Sequence, residues 1–120
     1  MSITKNEVKA ITRGITGFVS RPDVYPINAI TFSTNSIVIH FAVQLVGYVA
    51  SEWERSINGG AWVPADFGSI SGVDITPIWI GVPHAAGQVL TIRYLGSTTV
   101  IVNGQIPIPP FDGLVVTNTL

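Results

Sequence analysis

The stretch IVIHFAVQLV at residues 37–46 decides the fold class, because its apolar residues recur at every second position. The odd-numbered positions are all apolar and share one face of a predicted strand, while the even-numbered positions, which include His40 and Gln44, share the other. We expect the first face to lie in a core. The second face is only half polar, which favours cover by another layer or by another subunit.

The segment Asn58-Gly59-Gly60 separates two apolar runs that each contain a tryptophan, at 53–57 and 61–63. An Asn-Gly pair between such runs is a strong β-hairpin signal, because both residues tolerate a positive φ. The sequence therefore predicts a hairpin around this segment.

Two further strands are predicted in the second half of the chain. Residues 75–82 form one of them, and Pro77 within it and Pro83 directly after it should confine it to a sheet edge or to strand ends. Residues 88–95 form the other. The apolar side chains of this strand alternate and share one face, which consists of Leu90, Ile92 and Tyr94.

Shorter strands are predicted at 98–102 and 105–108, joined by a turn at Asn103-Gly104. Strands that recur roughly every 8 to 12 residues, with a turn signal between each pair, indicate a sandwich or a barrel. No alternation of strands and helices suggests a parallel sheet. We therefore predict an all-β protein with a single β-sandwich, either immunoglobulin-like or jelly-roll-like, whose core spans residues 23–106, and a small barrel stays open as an alternative.

The N-terminal segment, residues 1–22, supports two interpretations. Thr4 and Glu7 have the spacing of a capping box, which predicts a short helix over residues 5–13. The alternation of apolar residues from Ile11 to Val19 favours a first strand instead. The segment is predicted to be an arm or a short helix.

The C-terminal segment, residues 107–120, is predicted to be an extended, proline-rich arm. Its three prolines, at positions 107, 109 and 110, cannot donate hydrogen bonds to a sheet. Beyond them, the apolar run Leu114, Val115 and Val116 could pair with the protein's own sheet or with the edge of a neighbouring subunit. Both alternatives stay open, because either one satisfies the backbone groups.

The composition is poor in charge for a protein of 120 residues. Charged residues make up 11% of the chain and hydrophobic residues 47%, whereas soluble domains average about 25% charged residues. Subunit interfaces are depleted in charged residues, so the deficit favours a domain that is partly covered by neighbours. The alternative is a soluble sandwich with a surface of Ser, Thr, Asn and Gln.

Several partners are disfavoured by the sequence. The net charge is −1 and the six basic residues are scattered, which argues against nucleic acid. Residues 24–51 lack Asp, Glu, Lys and Arg, but polar residues and a period of two argue against a membrane span. The N-terminus lacks the apolar region of a secretory signal, so we expect synthesis in a cytoplasm without export.

The titratable side chains are too few to suggest an enzyme, a metal site or a cofactor. A hydrogen-bonded sheet histidine is the ordinary interpretation of His40, and His84 is predicted to lie in a turn. Glu52 and Glu54 share a strand face, whereas glycosidase carboxylates usually come from different elements across a cleft. We interpret these two as a solvated strand edge near Arg55 and predict a non-catalytic protein.

The three tryptophans support the main alternative function. Exposed aromatic rings could form a platform for a sugar in a carbohydrate- or receptor-binding sandwich, next to Asn58 and Glu54. Core packing is the favoured interpretation, since buried aromatic side chains dominate small cores. The candidate interface or ligand-platform residues are therefore Trp53, Trp62, Trp79, Leu114, Val115 and Val116.

The segment WERSINGGAWVP, residues 53–64, resembles the hairpin of many immunoglobulin-like and fibronectin-type modules in bacteriophage virion proteins. In those modules a polar strand turns at Asn-Gly-Gly or Asp-Gly-Gly into a strand that contains a tryptophan. The resemblance implies a structural role as a capsid decoration, cement or tail-associated protein. It also implies a homo-oligomer that contacts other virion proteins and resides in the virion.

Overall fold

The computed structural model describes residues 25–96, 98–102 and 105–120, which form antiparallel sheets packed in a sandwich-like arrangement. The predicted all-β sandwich is confirmed. The strands within these ranges are β1 (Asn28–Ser33), β2 (Ser36–His40), β3 (Leu45–Val46), β4 (Trp53–Ile57), β5 (Val63–Pro64), β6 (Phe67–Ser71), β7 (Asp74–Ile78), β8 (Leu90–Tyr94), β9 (Val100–Ile101), β10 (Ile106–Pro107) and β11 (Phe111–Val115). A 3-10 turn, Ala50–Glu52, leads into β4.

The strands are arranged in three sheets. The first sheet has the order β1-β2-β7-β6 and the second has the order β11-β8-β4-β5. A small third sheet has the order β10-β9-β3. Every strand pair in these sheets is antiparallel.

The core lies between the first and second sheets and follows the alternation of the strands. In β8 the predicted face is confirmed, because Leu90, Ile92 and Tyr94 are all buried. The ring of Trp53 in the adjacent β4 lies 4.4 Å from the ring of Tyr94. The first sheet contributes its inward side chains to the same cluster, among them Ala29, Ile37, Ile39 and Ile75.

The predicted hairpin is present between β4 and β5. Asn58 and Gly59 both have positive φ values, of 52° and 74°, and the N–H of Gly60 donates to the carbonyl oxygen of Ile57. A turn with positive φ at both central residues matches the twist of the flanking strands. Asn58 also contacts the residue directly before β8, because its side-chain oxygen accepts a hydrogen bond from the N–H of Val89 at 2.8 Å.

The continuous strand predicted over residues 37–46 is wrong, because the chain changes sheets after His40. Strand β2 ends there in the first sheet, and Leu45 begins β3 in the third. The intervening segment is held by the N–H groups of Phe41 and Leu45, which donate to carbonyl oxygens of Val73 and Gly72. The predicted inward positions Phe41 and Leu45 are nevertheless buried.

Of the two positions predicted for Pro77, the sheet edge is wrong, but Pro77 does lie near a strand end, one residue before the end of β7. Pro77 lies in β7, which pairs with β2 on one side and with β6 on the other. The pairs between β2 and β7 omit the position of Pro77, which has no N–H to donate. On the side of β6, Pro77 pairs with Gly68, and the residue is buried.

Other predicted elements are shorter than expected or lie outside the described residues. Strand β7 ends at Ile78 instead of continuing to residue 82, and β9 and β10 have two residues each. The turn predicted at 103–104 lies outside the described residues. The helix or strand predicted within residues 1–22 lies outside them as well.

Of the two alternatives for the C-terminal segment, the structure shows the first, because the segment pairs with the protein's own sheet. Strand β11 pairs with β8, and a bulge between Phe111 and Leu114 contains Gly113 at a φ of 78°. Beyond β11, Thr117 forms a parallel bridge with Ile30 in β1. The segment therefore links an edge of the second sheet to an edge of the first, and the sandwich continues past the predicted core boundary at residue 106.

Candidate functional site

Two of the three tryptophans belong to the core. Trp53 and Trp79 are fully buried, at 0% exposure, and Trp79 Nε1 donates to the carbonyl oxygen of Val63 at 2.8 Å. Buried rings cannot stack on a sugar at the surface. Of the three tryptophans, Trp62 alone retains exposed surface.

Trp62 is half-buried and one side of its ring is already covered. The guanidinium carbon of Arg93 lies 4.6 Å from the ring centroid of Trp62. Arg93 is fixed by an ion pair in which its Nη2 and Nε lie 2.6 Å from Oε1 of Glu54. A charged side chain held over an aromatic face makes a cation–π contact and leaves less of the ring free for a ligand.

The three apolar residues of the C-terminal candidate interface differ in exposure. Val116 is buried and Leu114 packs against the core, whereas Val115 is 64% exposed. The structure therefore does not present them as one apolar surface.

The histidines do not form a catalytic arrangement with a nucleophile within the described ranges. Nδ1 of His40 lies 2.5 Å from Oδ1 of Asp74, across the pairing of β2 with β7. This pair lies at one end of the first sheet and is partly exposed. In the part of the chain that the structure describes, no group of three or more His, Cys, Asp or Glu side chains could hold a metal ion.

A buried cationic cluster, Arg55 with Trp79 and His84, was missed by the sequence reasoning. Arg55 is 0% exposed, and its guanidinium carbon lies 4.9 Å from the ring centroid of Trp79. Its Nη1 lies 2.8 Å from Nδ1 of His84, and its Nη2 donates to the carbonyl oxygen of Val82 at 2.6 Å. Position 55 shares a strand face with Trp53. The alternation of this strand was therefore the sequence signal that could have predicted the burial of Arg55.

The hydrogen bonds fix the proton on His84. Its Nε2 lies 2.7 Å from the carbonyl oxygen of Ser33, which can only accept, so Nε2 carries the hydrogen. Nδ1 then carries a lone pair, which accepts a hydrogen bond from Nη1 of Arg55. Burial lowers the pKa of His84, and the neighbouring Arg55 charge also lowers it. The histidine is therefore a neutral acceptor at neutral pH.

Arg55 carries its charge without a carboxylate partner among the described residues. Burial lowers the pKa of Arg55 to about 10, so the guanidinium remains protonated at neutral pH. Its contacts to His84 and Val82 are neutral, and its Nε has no hydrogen-bond partner within the described ranges. A buried charge without a counterion is costly, which marks this cluster as a candidate binding site.

A cavity adjoins this cluster. It has a volume of about 210 Å³ and is lined by Arg55, Ile57, Ala61, Val63 and Val82. Arg55 is the one charged residue of this lining, and the other four side chains are aliphatic. Ala61 and Val82 are exposed, so they mark the opening of the cavity to solvent.

The first sheet has a second candidate surface on the side that faces away from the core, which we call the outer face. By the register of the strands, it carries the apolar residues Phe32, Ile30, Val38, Ile78 and Phe67. It also carries the uncharged polar residues Asn28, Thr76, Ser69 and Ser71. Phe32 is 75% exposed and Phe67 is 61% exposed. Among the described residues, the charged or titratable side chains of this face are His40 and Asp74, at one end.

Comparison with known proteins finds no matching family model, no matching curated protein and no matching solved structure. The fold defines the chain as an all-β protein of antiparallel, sandwich-like architecture. No helix among the described residues is long and apolar enough to span a membrane.

Proposed function

We propose that this chain is a non-catalytic structural component of a bacteriophage particle, of the capsid decoration, cement or tail-associated type. In this proposal it acts through interfaces with other copies of itself and with other virion proteins. Its work is mechanical, so it needs neither cofactor nor substrate.

The observation that carries the proposal is the apolar outer face of the first sheet. An antiparallel sheet that faces water on one side usually presents polar residues there. Here, two phenylalanines are more than half exposed, and the half-buried aliphatic residues Ile30, Val38 and Ile78 lie on the same face. Exposed aromatic side chains together with aliphatic ones on a single sheet face are typical of protein–protein contact sites.

A second copy of this chain is the partner that we propose for the outer face. The chain is close to neutral, with a net charge of −1, so two copies repel each other little. Burying a phenylalanine side chain stabilises a complex by about 1.5–3 kcal/mol. In a symmetric pair, both copies would bury Phe32 and Phe67, which supplies a substantial apolar contribution to association.

The sequence features that favour a virion protein support the same proposal. The low charge content matches the depletion of charged residues at subunit interfaces. The hairpin of residues 53–64, which resembles that of phage virion modules, adopts the turn that its sequence predicts. A sugar platform is less well supported, because Trp53 and Trp79 are buried and Arg93 covers Trp62.

Sedimentation analysis of a double variant tests the interface. Phe32→Ser with Phe67→Ser should weaken self-association by at least about a hundredfold, because each copy loses two buried rings. The control is Val89→Ser, because Val89 is 60% exposed and lies outside the first sheet. Equal association of the folded double variant and the wild type would contradict this interface.

The virion assignment is tested on particles from the source of the gene. Peptides of this chain should be recovered by mass spectrometry from gradient-purified phage particles, in a copy number set by capsid or tail symmetry. Recovery only in the soluble fraction of the lysed host would contradict a structural role in the particle.

A further inference from the structure

We propose that residues 1–24 of a neighbouring copy dock on the outer face of the first sheet and complete the interface between the two copies. This inference rests on the function proposed above, because it names the part of the second copy that the outer face binds. Residues 1–24 precede the described residues. Support comes from the size of the outer face, the place where the described chain begins and the distribution of charge along the sequence.

The outer face is too small to hold two copies together by itself. It is formed by four strands of five or six residues each. With strands about 4.8 Å apart and a rise of about 3.4 Å per residue, such a sheet covers roughly 330 Å² in its plane. A stable complex of standard size buries about 800 Å² on each partner. A second copy must therefore supply more contact surface than the apposition of two outer faces provides.

The described chain begins beside this face. The N–H of Ile27 donates to the carbonyl oxygen of His40 at 2.7 Å, and Asn28 is paired with His40 in the sheet. His40 and Asp74 lie at one end of the outer face. Residues 1–24 therefore join the domain at the end of the sheet where Asp74 lies. A segment of 24 residues in an extended conformation reaches up to roughly 80 Å, several times the length of the sheet.

The charges of the chain are divided unequally between residues 1–24 and the rest. Residues 1–24 contain four basic and two acidic residues, so their net charge is +2. Residues 25–120 contain two basic and five acidic residues, so their net charge is −3. A second folded domain would bring the same negative charge to the interface, whereas residues 1–24 bring the opposite one. Complementary charge of this kind favours association and selects the partner.

Two carboxylates lie at opposite ends of the outer face. Asp74 pairs with Ser71 at one end of β6, and Asp66 directly precedes Phe67 at the other end. Both basic residues of the described part are engaged elsewhere, since Arg55 is buried and Arg93 is paired with Glu54. The basic residues of residues 1–24 are therefore the cations that suit this surface; they are Lys5, Lys9, Arg13 and Arg21.

The pattern of residues 11–19 matches the mixed character of the outer face. In an extended strand, Ile11, Ile15 and Val19 share one side, and Arg13 lies on the same side. The aliphatic side chains suit contact with the exposed phenylalanines of the outer face. Asp74 is the residue of opposite charge to Arg13 on that face.

The connection to the domain favours a neighbouring copy over the segment's own domain. Pro22 and Pro26 flank this connection. A proline fixes its own φ and restricts the residue before it to extended conformations. A segment that covers its own outer face must reverse direction within this stretch, which the two prolines disfavour. Exchange of an identical element between subunits is a low-cost route to dimers.

Disulfide trapping in the full chain tests where the segment docks, because the wild type contains no cysteine. An Ile15→Cys chain is mixed with a Ser69→Cys chain or a Thr76→Cys chain and then oxidised, since both of these positions lie on the outer face. We expect a covalent heterodimer at one or both positions, identified by mass spectrometry. The matched control pairs Ile15→Cys with Val89→Cys, which is exposed but lies outside the first sheet. It should yield no heterodimer above random collision, because the two thiols must come within bonding distance.

Sedimentation equilibrium of the full chain measures the contribution of the segment to association. Ile15→Ser with Val19→Ser should weaken self-association by about tenfold or more, because two aliphatic side chains lose their contact. The matched control is Phe18→Ser, a change of the same kind on the opposite side of the extended strand. Its Kd should stay within about twofold of the wild-type value.

The outcomes separate this inference from the function proposed above. Unchanged association of Ile15→Ser with Val19→Ser overturns the inference alone, and so does failed trapping in a wild-type-like oligomer that requires Phe32 and Phe67. A disulfide that forms only within one chain, in a variant with both Ile15→Cys and Ser69→Cys, places the segment on its own domain and also overturns the inference. A wild type that stays monomeric at every concentration contradicts the proposed function together with the inference.

Discussion

Thr117 donates its backbone N–H to the carbonyl oxygen of Ala29 at 2.8 Å, and its own carbonyl oxygen accepts the N–H of Thr31 at 3.1 Å. Thr31 also contacts Thr119, because their hydroxyl oxygens lie 3.0 Å apart. These bonds join the end of the chain to β1, an edge strand of the first sheet. The preceding strand β11 belongs to the second sheet, so the C-terminal segment fastens the two sheets to each other.

The neighbouring pair Val115 and Val116 tests whether this segment is part of the core. Val116→Ala should lower the free energy of unfolding by about 1–3 kcal/mol, because Val116 is 5% exposed and loses packed methyl groups. Val115→Ala should change it by less than about 0.5 kcal/mol, since Val115 is 64% exposed. Denaturant unfolding measures both. Equal, small effects would mean that the segment behaves as a free arm.

The tryptophans should separate into two classes. Trp53→Ala and Trp79→Ala should each destabilise the protein by about 3–5 kcal/mol, because both rings are fully buried. Trp62→Ala should cost less than about 1 kcal/mol, since it loses a half-exposed ring and one cation–π contact. Acrylamide quenching provides the independent readout: the quenchable fluorescence should disappear in Trp62→Phe and persist in Trp53→Phe.

Stability should fall as the pH drops towards 5, because of His84. Burial lowers the pKa of His84 in the folded protein, so the unfolded chain binds a proton more readily. The contribution of neutral His84 to the free energy of unfolding is fully present above the ordinary histidine pKa of about 6.5. This contribution is lost as the pH falls below that value. Protonation of Nδ1 would also remove the acceptor for Arg55.

Thermal unfolding between about pH 7.5 and pH 5 measures this effect. The wild type and His40→Gln should both show a falling Tm over this range, whereas His84→Gln should show a smaller fall. A pH dependence that is unchanged in His84→Gln would contradict the role of the neutral histidine.

Gly68 is required where β6 approaches Tyr48. Its φ is +148°, and a Cβ atom there would collide with the hydroxyl of Tyr48 and the carbonyl oxygen of Thr76. The same hydroxyl donates to the carbonyl oxygen of Phe67 at 2.8 Å, so Tyr48 has little freedom to move. Gly68→Ala should therefore destabilise the protein by about 2 kcal/mol or more.

The control for this change is Gly81→Ala, because a Cβ at Gly81 meets nothing within 4 Å. Its free energy of unfolding, measured by urea denaturation, should lie within about 0.5 kcal/mol of the wild-type value. If Gly68→Ala is equally mild, the close approach of Tyr48 does not constrain this strand.

Local patterns in the sequence predicted the parts of the fold that depend on near neighbours. The alternation of Leu90, Ile92 and Tyr94 located a core strand, and Asn58-Gly59-Gly60 located a hairpin. Contacts between distant residues were not predictable in the same way. Pro77 lies in an interior strand whose pairs with β2 omit its position. The segment after β2 depends on bonds to Gly72 and Val73, which are distant in sequence.

The candidate binding site escaped prediction for a related reason. A charged residue is ordinarily expected at the surface, and Arg55 was named in the sequence interpretation only as a neighbour of the strand edge assigned to Glu52 and Glu54. Its alternation with Trp53 pointed inward, but its burial depends on His84 and Val82, which lie 29 and 27 residues away. The half-polar even-numbered positions of residues 37–46 favoured cover by another layer or another subunit, and two of them, Val38 and His40, lie on the outer face.

The central claim is that this domain is a subunit of an assembly that buries the outer face. Light scattering of the purified full chain across a concentration series measures its solution mass and tests that claim most directly. We predict a defined oligomer that dissociates on dilution, with Phe32 and Phe67 required for its formation. A strictly monomeric mass at the highest concentration would contradict the account.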